Sequence, residues 1–393
     1  MHGLPRVHDD GPAAPARRAN RYDRFELAGA FGDLGTLIPF VAAYVSVLGM
    51  DPVGVLFGFG IAKIVCGLYY RTPFPVQPMK ASGAVATTHT APVAVTPDMV
   101  AGAGLVTALV WLALGLSGMT RRIAGLVGRP VALGIILGLG LSFMLEGIRM
   151  MSRDWLVGGL ALAATLVLLR SRRLPAMALL LAGGAILALF QDPALRLELA
   201  GIEARLHWPA WALGDIGWRD LMLGAVFLAL PQLPLTLSNA VIAVTEENNT
   251  LFPDRPVTEK KVALSTGLMN LFGAAAGGVP MCHGAGGMAG HVAFGARTGG
   301  ALVILGAILV LLALFLGHAV DVVFRLFPLA VLGVILFIAG SQLALGGLAA
   351  RDFGRREQVV LLVTAAFCLW NIGIAFAAGL ALHHAVKRNI VQF

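Results

Sequence analysis

The sequence contains few charged residues and few cysteines for a protein of this length. Charged residues account for 13% of its 393 residues, whereas 58% are hydrophobic and the mean hydropathy is +0.83. Because a soluble domain typically carries about 25% charged residues, this composition argues against a soluble fold and predicts a polytopic membrane protein. The three cysteines, Cys66, Cys282 and Cys368, lie in apolar segments without the spacing of a disulfide framework or a metal site.

Motifs of membrane enzymes and pumps are also missing. The sequence has neither the H-E-x-x-H pattern of a zinc protease nor the glycine-rich P-loop of an ATPase. We therefore expect a protein that is not an enzyme and that holds no metal and no cofactor.

The net charge of +8 could reflect contact with nucleic acid or the topology of a membrane protein. The basic residues cluster in loops between apolar segments, and most of them fall on one side when the segments are threaded alternately through a bilayer. This asymmetry follows the positive-inside rule, so we expect no nucleic-acid partner and both termini in the cytoplasm. The expected bilayer is the plasma membrane, which is the inner membrane in a bacterium. Residues 1–24 are polar and rich in arginine and proline, which predicts a disordered cytoplasmic tail.

The remainder of the chain divides into two similar halves. Residues 25–190 and 219–393 each contain seven apolar segments, and the polar stretch 191–218 predicts an extramembrane connector. The halves match at an offset of roughly 200 residues, which places Thr36 opposite Thr236 and Pro78 opposite Pro280. An odd number of segments per half requires the second half to enter the membrane inverted. We therefore predict an all-α fold of two inverted repeats, in which residues 357–386 form either one long helix or two short ones.

Two segments in corresponding positions are too short to cross a bilayer. Each begins with a proline-containing stretch, Pro73-Phe-Pro-Val-Gln-Pro78 or Gly278-Val-Pro280, and proline keeps the approach extended. The helix after Pro78 can run only to about Thr90, which gives roughly 18 Å against about 30 Å of hydrocarbon. Such half-helices aim free N–H groups and the positive end of the helix dipole at the membrane midplane. Together the two segments predict one anion-binding site.

Residues near these helix starts, and on the eighth apolar segment, are the candidate anion ligands. In the second half-helix the stretch from Cys282 to Gly287 presents backbone N–H groups with little side-chain bulk, which suits a compact oxyanion. The eighth segment adds neutral polar side chains after Pro231 and Pro234, which serve either the site or helix packing. The full set is Gln77, Met79, Lys80, Ser82, Thr36, Gln232, Ser238, Asn239, Cys282, His283, Gly284, Ala285, Gly286 and Gly287.

Several of these side chains have two interpretations. Lys80 lies in the first turn of a helix, where the dipole disfavours a cation, so it either contacts a bound dianion or turns away to neutralise Asp33. His283 either donates to the anion and titrates with it, or packs between helices. Gln77 and Ser82 either bind the anion or cap the helix.

Asp33 is the candidate for proton coupling. It lies within the first apolar segment, where a carboxylate costs a few kcal/mol unless it pairs or meets water. Gly32 and Gly35 beside it permit local unwinding of the helix. Asp33 is a proton or cation relay, a residue that shapes the site, or the acidic member of a structural ion pair with Lys63, Lys80 or Arg297.

Four motifs carry a resemblance to a known family. Phe31-Gly-Asp-Leu-Gly-Thr36, Pro75-Val-Gln-Pro-Met-Lys80, Pro280-Met-Cys-His-Gly-Ala-Gly-Gly287 and Phe294-Gly-Ala-Arg-Thr-Gly299 resemble the molybdate transporter branch of the SulP sulfate-permease superfamily. The resemblance covers essentially all of residues 25–390.

This resemblance implies a seven-plus-seven inverted-repeat fold with a core domain (25–118 and 219–317) and a gate domain (128–190 and 326–386). The core is then expected to carry the anion by an elevator-like displacement. SulP proteins typically append a cytoplasmic STAS domain, and we expect none here. The expected substrate is molybdate or sulfate, taken up with protons, and a homodimer in the lipid bilayer is one compatible assembly.

Two other functions remain open at this stage. A nucleobase permease would want acidic residues on the eighth and tenth segments, and 230–244 and 280–291 contain none. An anion channel or receptor without alternating access is the rival from a different class of membrane protein.

Overall fold

The computed structural model describes residues 19–87, 93–169, 171, 175–348 and 353–391. Most of the predicted tail, and the predicted helix end near Thr90, lie outside this part of the chain. Six described helices are long and apolar enough to cross a membrane, or up to eight if each bent pair counts as one span. The prediction of an all-α polytopic membrane protein is confirmed.

The first repeat contains nine helices and one short strand among the described residues. They are α1 (Arg24–Ala30), α2 (Leu34–Leu48), α3 (Pro52–Tyr70), β1 (Gln77–Pro78), α4 (Lys80–Thr87), α5 (Pro97–Leu116), α6 (Met119–Leu126), α7 (Arg129–Met151), α8 (Trp155–Leu168) and α9 (Ala176–Gln191). The connector then begins with α10 (Pro193–Ala200). The chain bends by 43° between α1 and α2, at the position where glycines flank Asp33.

The second repeat follows the same order. It consists of α11 (Trp218–Gly224), α12 (Leu230–Leu235), α13 (Val244–Leu251), α14 (Glu259–Ala275), β2 (Met281–Cys282), α15 (Ala285–Ala293), α16 (Gly300–Leu316), α17 (Val320–Phe324), α18 (Leu329–Gly347), α19 (Arg355–Cys368) and α20 (Ile372–Lys387). Two π-helical stretches, Ala225–Ala229 and Thr236–Ala243, join α11, α12 and α13 into one continuous helix. Residues 357–386 form two helices, α19 and α20, which decides the alternative left open above.

Helix ends follow from local side-chain chemistry. Asp51 caps α3 by accepting the Val53 N–H, and Pro52 occupies the first helical position, where a missing N–H costs nothing. Thr96 caps α5 in the same way before Pro97. At the other end of α2, Gly49 adopts φ +64°, the left-handed conformation that commonly ends a helix.

The helix packing has the pseudo-symmetry of inverted repeats. The pair α3 and α16 packs closely, and so does the equivalent pair α14 and α5. Equivalent elements also meet each other, α7 against α18 and β1 against β2. These contacts between the repeats occur in symmetric pairs, as a two-fold axis between inverted repeats requires.

A second helical group lies beside the half-helices. Here α7 packs on α18 and α19, and α19 packs on α20. A Cβ atom at Gly147 would lie 2.7 Å from the Gly333 carbonyl, and one at Gly333 would lie 2.6 Å from the Gly147 carbonyl, so glycine permits this close contact. The core and gate boundaries given above stay predictions.

Candidate anion site

The two half-helices meet at their N-terminal ends. Strands β1 and β2 pair antiparallel, with Gln77 opposite Cys282 and Pro78 opposite Met281. The Met79 N–H adds a hydrogen bond to the Pro280 carbonyl at 2.9 Å. Because α4 and α15 begin directly after this ribbon, the positive ends of both helix dipoles lie at one place in the fold.

The ribbon is braced from the neighbouring helix α14. The Asn270 side chain accepts the Met281 N–H at 2.9 Å and donates to the Met281 carbonyl at 2.6 Å. An amide that bonds both main-chain groups of one residue substitutes for the third strand of a sheet. This brace fixes the approach to α15.

Two amide side chains from the broken helix of the second repeat cap the half-helices. The Gln232 Oε1 accepts the N–H of Ala81 at 2.8 Å and that of Ser82 at 3.4 Å. The Asn239 Oδ1 accepts the Ala285 N–H at 3.3 Å. Each helix start therefore already binds an oxygen atom with partial negative charge.

The π-helical stretches aim these amides at the half-helices. A π-turn shifts the register of a helix by one residue, and such bulges occur frequently at functional sites. Pro231 and Pro234, which lack N–H groups, lie between the two stretches and interrupt the α-helical ladder. Both prolines stand out in the sequence, whereas π-helix was not among the expectations drawn from it.

A hydrogen-bonded chain links the first half-helix to Asp33. Gln77 Nε2 donates to Thr36 Oγ1 at 2.8 Å, and the Thr36 hydroxyl donates to the Asp33 main-chain carbonyl at 2.9 Å. Gln77 Oε1 is buried without a hydrogen-bond partner among the described residues. This oxygen lies beside Gly284, where a Cβ atom would approach it to 2.3 Å.

Lys80 presents a buried ammonium group to an aromatic ring. Its Nζ lies 3.7 Å from the centre of the Phe143 ring and has no hydrogen-bond partner in the described part of the chain. A cation over a ring face gains about 2 kcal/mol when desolvated, which is less than the cost of removing an ammonium from water. An unpaired cation in this place is a strong indication of an anionic ligand.

Phe143 lies between two spaces at the meeting of the two helical groups. A crevice too narrow to hold a water molecule is lined by Asp33, Thr36, Gln77, Phe143 and Gly286, among others. A larger cavity of about 560 Å³, lined by Lys80, Phe143 and Arg149 among others, extends toward the end of the bundle where α7 finishes and α20 begins. We call this cavity the vestibule.

Asp33 forms a buried ion pair with Lys63. Lys63 Nζ lies 2.7 Å from Asp33 Oδ2, and both side chains are fully buried. His291 Nε2 lies 3.6 Å from the same oxygen. Of the three basic partners considered from the sequence, the structure selects Lys63. Arg297 instead donates to main-chain carbonyls.

The other candidate side chains have partners away from this meeting point. Ser82 donates to the Leu228 carbonyl at 2.8 Å, and Ser238 donates to the Pro234 carbonyl at 2.9 Å within its own helix. Met79 and Cys282 pack together against Ala240. These four residues shape the surroundings of the half-helices.

His283 is held by two protein groups. Its Nδ1 lies 2.7 Å from the Pro75 carbonyl, and its Nε2 lies 2.7 Å from Ser265 Oγ. The ring also meets Phe74 edge to face. The geometry corresponds to the packing interpretation of this residue, and we leave it out of the anion site.

Three residues near the site were not assigned to it from the sequence. Phe143 and Asn270 lie in apolar helices where nothing in the pattern marks them, and His291 is a lone histidine, a residue that more often packs between helices. A search of the described residues finds no cluster of histidine, cysteine or acidic side chains suited to a metal ion.

Known proteins are similar to this chain over most of its length. A family profile described as "Molybdate transporter of MFS superfamily" matches residues 25–143 and 224–343. The chain is 33% identical to molybdate transporter 2 of Arabidopsis thaliana, over 92% of this chain and 87% of the relative. It is 32% identical to molybdate transporter 1 of the same plant, over 90% of this chain and 86% of the relative.

Solved structures of anion transporters share the fold. The transmembrane domain of the cyanobacterial bicarbonate transporter BicA aligns with a TM-score of 0.55 at 14% identity, covering 91% of this chain and 97% of that domain. The anion transporter SLC26A9 aligns with a TM-score of 0.58 at 11% identity, covering 94% of this chain and 66% of that protein. At such identities the likeness concerns the fold alone, and it confirms the predicted inverted-repeat architecture.

Proposed function

Because the chain belongs to the molybdate transporter family, we propose that it is a secondary transporter that imports molybdate across the plasma membrane. Membership of the family establishes anion transport as its general activity. The substrate is carried over from the relatives named as molybdate transporters. The observation that carries the proposal is the buried ammonium of Lys80 beside two helix N-termini, which has no hydrogen-bond partner among the described residues.

The proposed anion site lies between the tips of α4 and α15. Lys80 supplies the positive charge, and the N–H groups at the start of α15 supply hydrogen bonds to the oxyanion. Glycines at 284 and 286 let the anion approach the backbone closely. The Asn239 carbonyl now occupies the Ala285 N–H, so an incoming oxyanion replaces it there. Rotation of the Asn239 amide would then turn its NH₂ group toward the anion.

The first half-helix contributes differently. Gln232 accepts the N–H groups of both Ala81 and Ser82, and its own amide is held by Thr236 at 3.0 Å. An anion therefore gains less from the backbone of α4 than from that of α15. This asymmetry favours Lys80, together with the remaining N–H of Gln77 Nε2, as the ligands from the first repeat.

Access to the site is proposed to alternate by movement of the core against the gate. Arg149 and Glu146, which form an ion pair at 3.2 Å, line the vestibule through which an anion would reach the site. Phe143, on the gate helix α7, lies between the vestibule and the deeper crevice. Displacement of the half-helices past this ring would carry the anion inward, with a proton bound near Asp33 as the coupling ion.

Uptake into proteoliposomes tests this function. We expect saturable accumulation of labelled molybdate, stimulated by an inwardly directed proton gradient and collapsed by a protonophore. Competition by unlabelled sulfate measures the selectivity between the two tetrahedral dianions. Uptake that rises linearly with molybdate concentration and does not depend on the proton gradient would instead support an anion channel.

A further inference from the structure

The ion pair of Asp33 and Lys63 lies next to a histidine, one of whose ring nitrogens has no hydrogen-bond partner among the described residues. His291, in the last turn of α15, is fully buried, and its Nδ1 lies 2.7 Å from the Gly29 carbonyl. Its Nε2 faces Asp33 Oδ2 at 3.6 Å, beyond hydrogen-bond distance. Both this nitrogen and Asp33 Oδ1 are buried without a hydrogen-bond partner among the described residues.

The hydrogen bond to Gly29 fixes the tautomer of the ring. A main-chain carbonyl can only accept, so Nδ1 carries a hydrogen and the neutral ring leaves a lone pair on Nε2. That lone pair faces a carboxylate, which also can only accept. Nε2 and the carboxylate are therefore two buried acceptors that face each other with no hydrogen between them. A proton on Nε2 would give the carboxylate a second donor beside Lys63.

We propose that His291 is the proton-binding residue of this transporter and that a proton held between its Nε2 and Asp33 enters with each molybdate dianion. The inference rests on the proposed function and deepens it, because it assigns the transported proton to His291 and Asp33 together and not to Asp33 alone. In this step Nε2 takes a proton from the outer side, which forms the N–H bond, and releases the same proton to the cytoplasm.

The position of His291 in its helix favours this role. The carbonyl groups in the last turn of a helix attract a cation, just as the N–H groups of the first turn attract an anion. Helix α15 presents its first turn to the proposed anion and its last turn to the histidine. One dipole therefore stabilises both the anion and the protonated ring, and binding of either favours the other.

Other charged groups occur on elements that pack against α15. They are Arg24 and Glu26 on α1, Glu246 and Glu247 on α13, and Arg129, Glu146 and Arg149 on α7, whereas α18 and the stretch Thr236–Ala243 contain none. Glu26 accepts the Arg297 N–H, and Glu246 and Glu146 pair with Arg129 and Arg149. Asp33, with its partner Lys63, is the charged group that the structure pairs with His291.

The formal charges balance when the proton and the anion bind together. Asp33 and Lys63 cancel, which leaves the charge of Lys80 and a neutral His291. Protonation of His291 raises the formal charge of these four residues to two positive units, the opposite of a molybdate dianion. An uncompensated charge at membrane depth costs several kcal/mol, so the neutral combination is the one suited to cross.

The anion and proton positions are also in mechanical contact. A Cβ atom at Gly32 would lie 2.4 Å from the Gly290 main chain, so the break before Asp33 packs directly on the turn that carries His291. Asp33, Gln77 and Gly286 line the same narrow crevice. Movement of α15 would therefore shift the proton pair together with the anion ligands.

Proton uptake on molybdate binding tests the inference. Titration calorimetry of the purified wild-type protein, in buffers of different ionisation enthalpy, should give about one proton taken up per molybdate near neutral pH. The molybdate Kd should then rise about tenfold per pH unit at alkaline pH, because a bound proton is required. We expect His291→Gln to bind molybdate only as weakly as the unprotonated wild type, with no proton uptake and a flat pH profile. His318→Gln, which removes an exposed histidine, is the matched control and should behave as wild type.

Each outcome has a distinct meaning. Unchanged proton uptake in His291→Gln, or wild-type binding without proton uptake, overturns the inference and leaves molybdate transport standing. A wild-type protein that binds no molybdate overturns the proposed function. If His291→Gln does not fold, ¹⁵N-histidine NMR of the wild type decides. One histidine should gain a hydrogen on Nε2 when molybdate is added, and no change in any histidine overturns the inference.

Discussion

Replacement of Lys80 by methionine should change the stability of the empty protein and its affinity for the anion in opposite directions. Methionine keeps an unbranched apolar stem against Phe143 but removes the ammonium group, which has no hydrogen-bond partner in the described structure. In the empty protein this removes an unpaired buried charge, so Lys80→Met should leave the fold at least as stable as the wild type. A thermal shift measured without molybdate checks this part.

Binding of molybdate, in contrast, should be much weaker in Lys80→Met. One pair of unit charges about 4 Å apart interacts by about 4 kcal/mol at an effective dielectric constant of 20, and a dianion doubles this gross value. Release of the ammonium from the Phe143 ring offsets about 2 kcal/mol of it. Loss of one partner of a buried charge pair typically costs about 2–5 kcal/mol, so Kd should rise about 30-fold to 4,000-fold.

Equilibrium binding of labelled molybdate to the purified protein measures this change. Lys260→Ala, which removes an exposed lysine at the start of α14, is the control for net charge and should leave Kd unchanged. A Kd for Lys80→Met within threefold of the wild-type value would refute the assignment of Lys80 as the anion's countercharge. A large loss of thermal stability would show that its ammonium has a structural partner.

Two further predictions concern packing and pH. A Cβ atom at Gly286 would lie 2.1 Å from Phe143 Cε2, so Gly286→Ala should abolish uptake in proteoliposomes, and a second change, Phe143→Ala, should restore part of it. No restoration would argue that the methyl group acts on the anion and not on the ring. Outside the membrane, the hydrogen bond from Arg325 holds the pKa of Asp192 below its ordinary value. This pair stabilises the fold above the unfolded-state pKa of about 3.9. Its contribution is lost as pH falls through the lower folded-state pKa, so the Tm difference between wild type and Asp192→Asn should vanish in acid.

The membrane elements could be predicted from the sequence because they depend on composition and on proline. Every predicted apolar segment corresponds to a described helix, and the extended approaches to the half-helices follow from their prolines. The helices themselves start later than predicted, because α4 begins at Lys80 after strand β1 and α15 begins at Ala285 after strand β2. Proline acts locally, so its effect is visible in one sequence. The inverted symmetry was also predictable, since the odd number of segments per half required it.

The details of the site depended on tertiary packing and were less predictable. Asp33 had three basic residues as candidate partners, and only the fold brings Lys63 to 2.7 Å from it. Phe143 is one aromatic residue within an apolar helix, and a hydropathy pattern cannot show which ring covers a lysine. His291 differs from His283 only in its partners, because one ring has both nitrogens satisfied and the other has one.

The ribbon formed by β1 and β2 restricts how the two half-helices can move during transport. The two segments belong to opposite repeats, and the hydrogen bond from Met79 to Pro280 joins them where both half-helices begin. Sliding one half-helix alone would break that bond inside the membrane, where no water replaces it. We therefore expect α4 and α15 to move together as one rigid unit. Affinity for the cargo would then be nearly equal at the two faces, and the direction of flow would be set by the ion gradients alone.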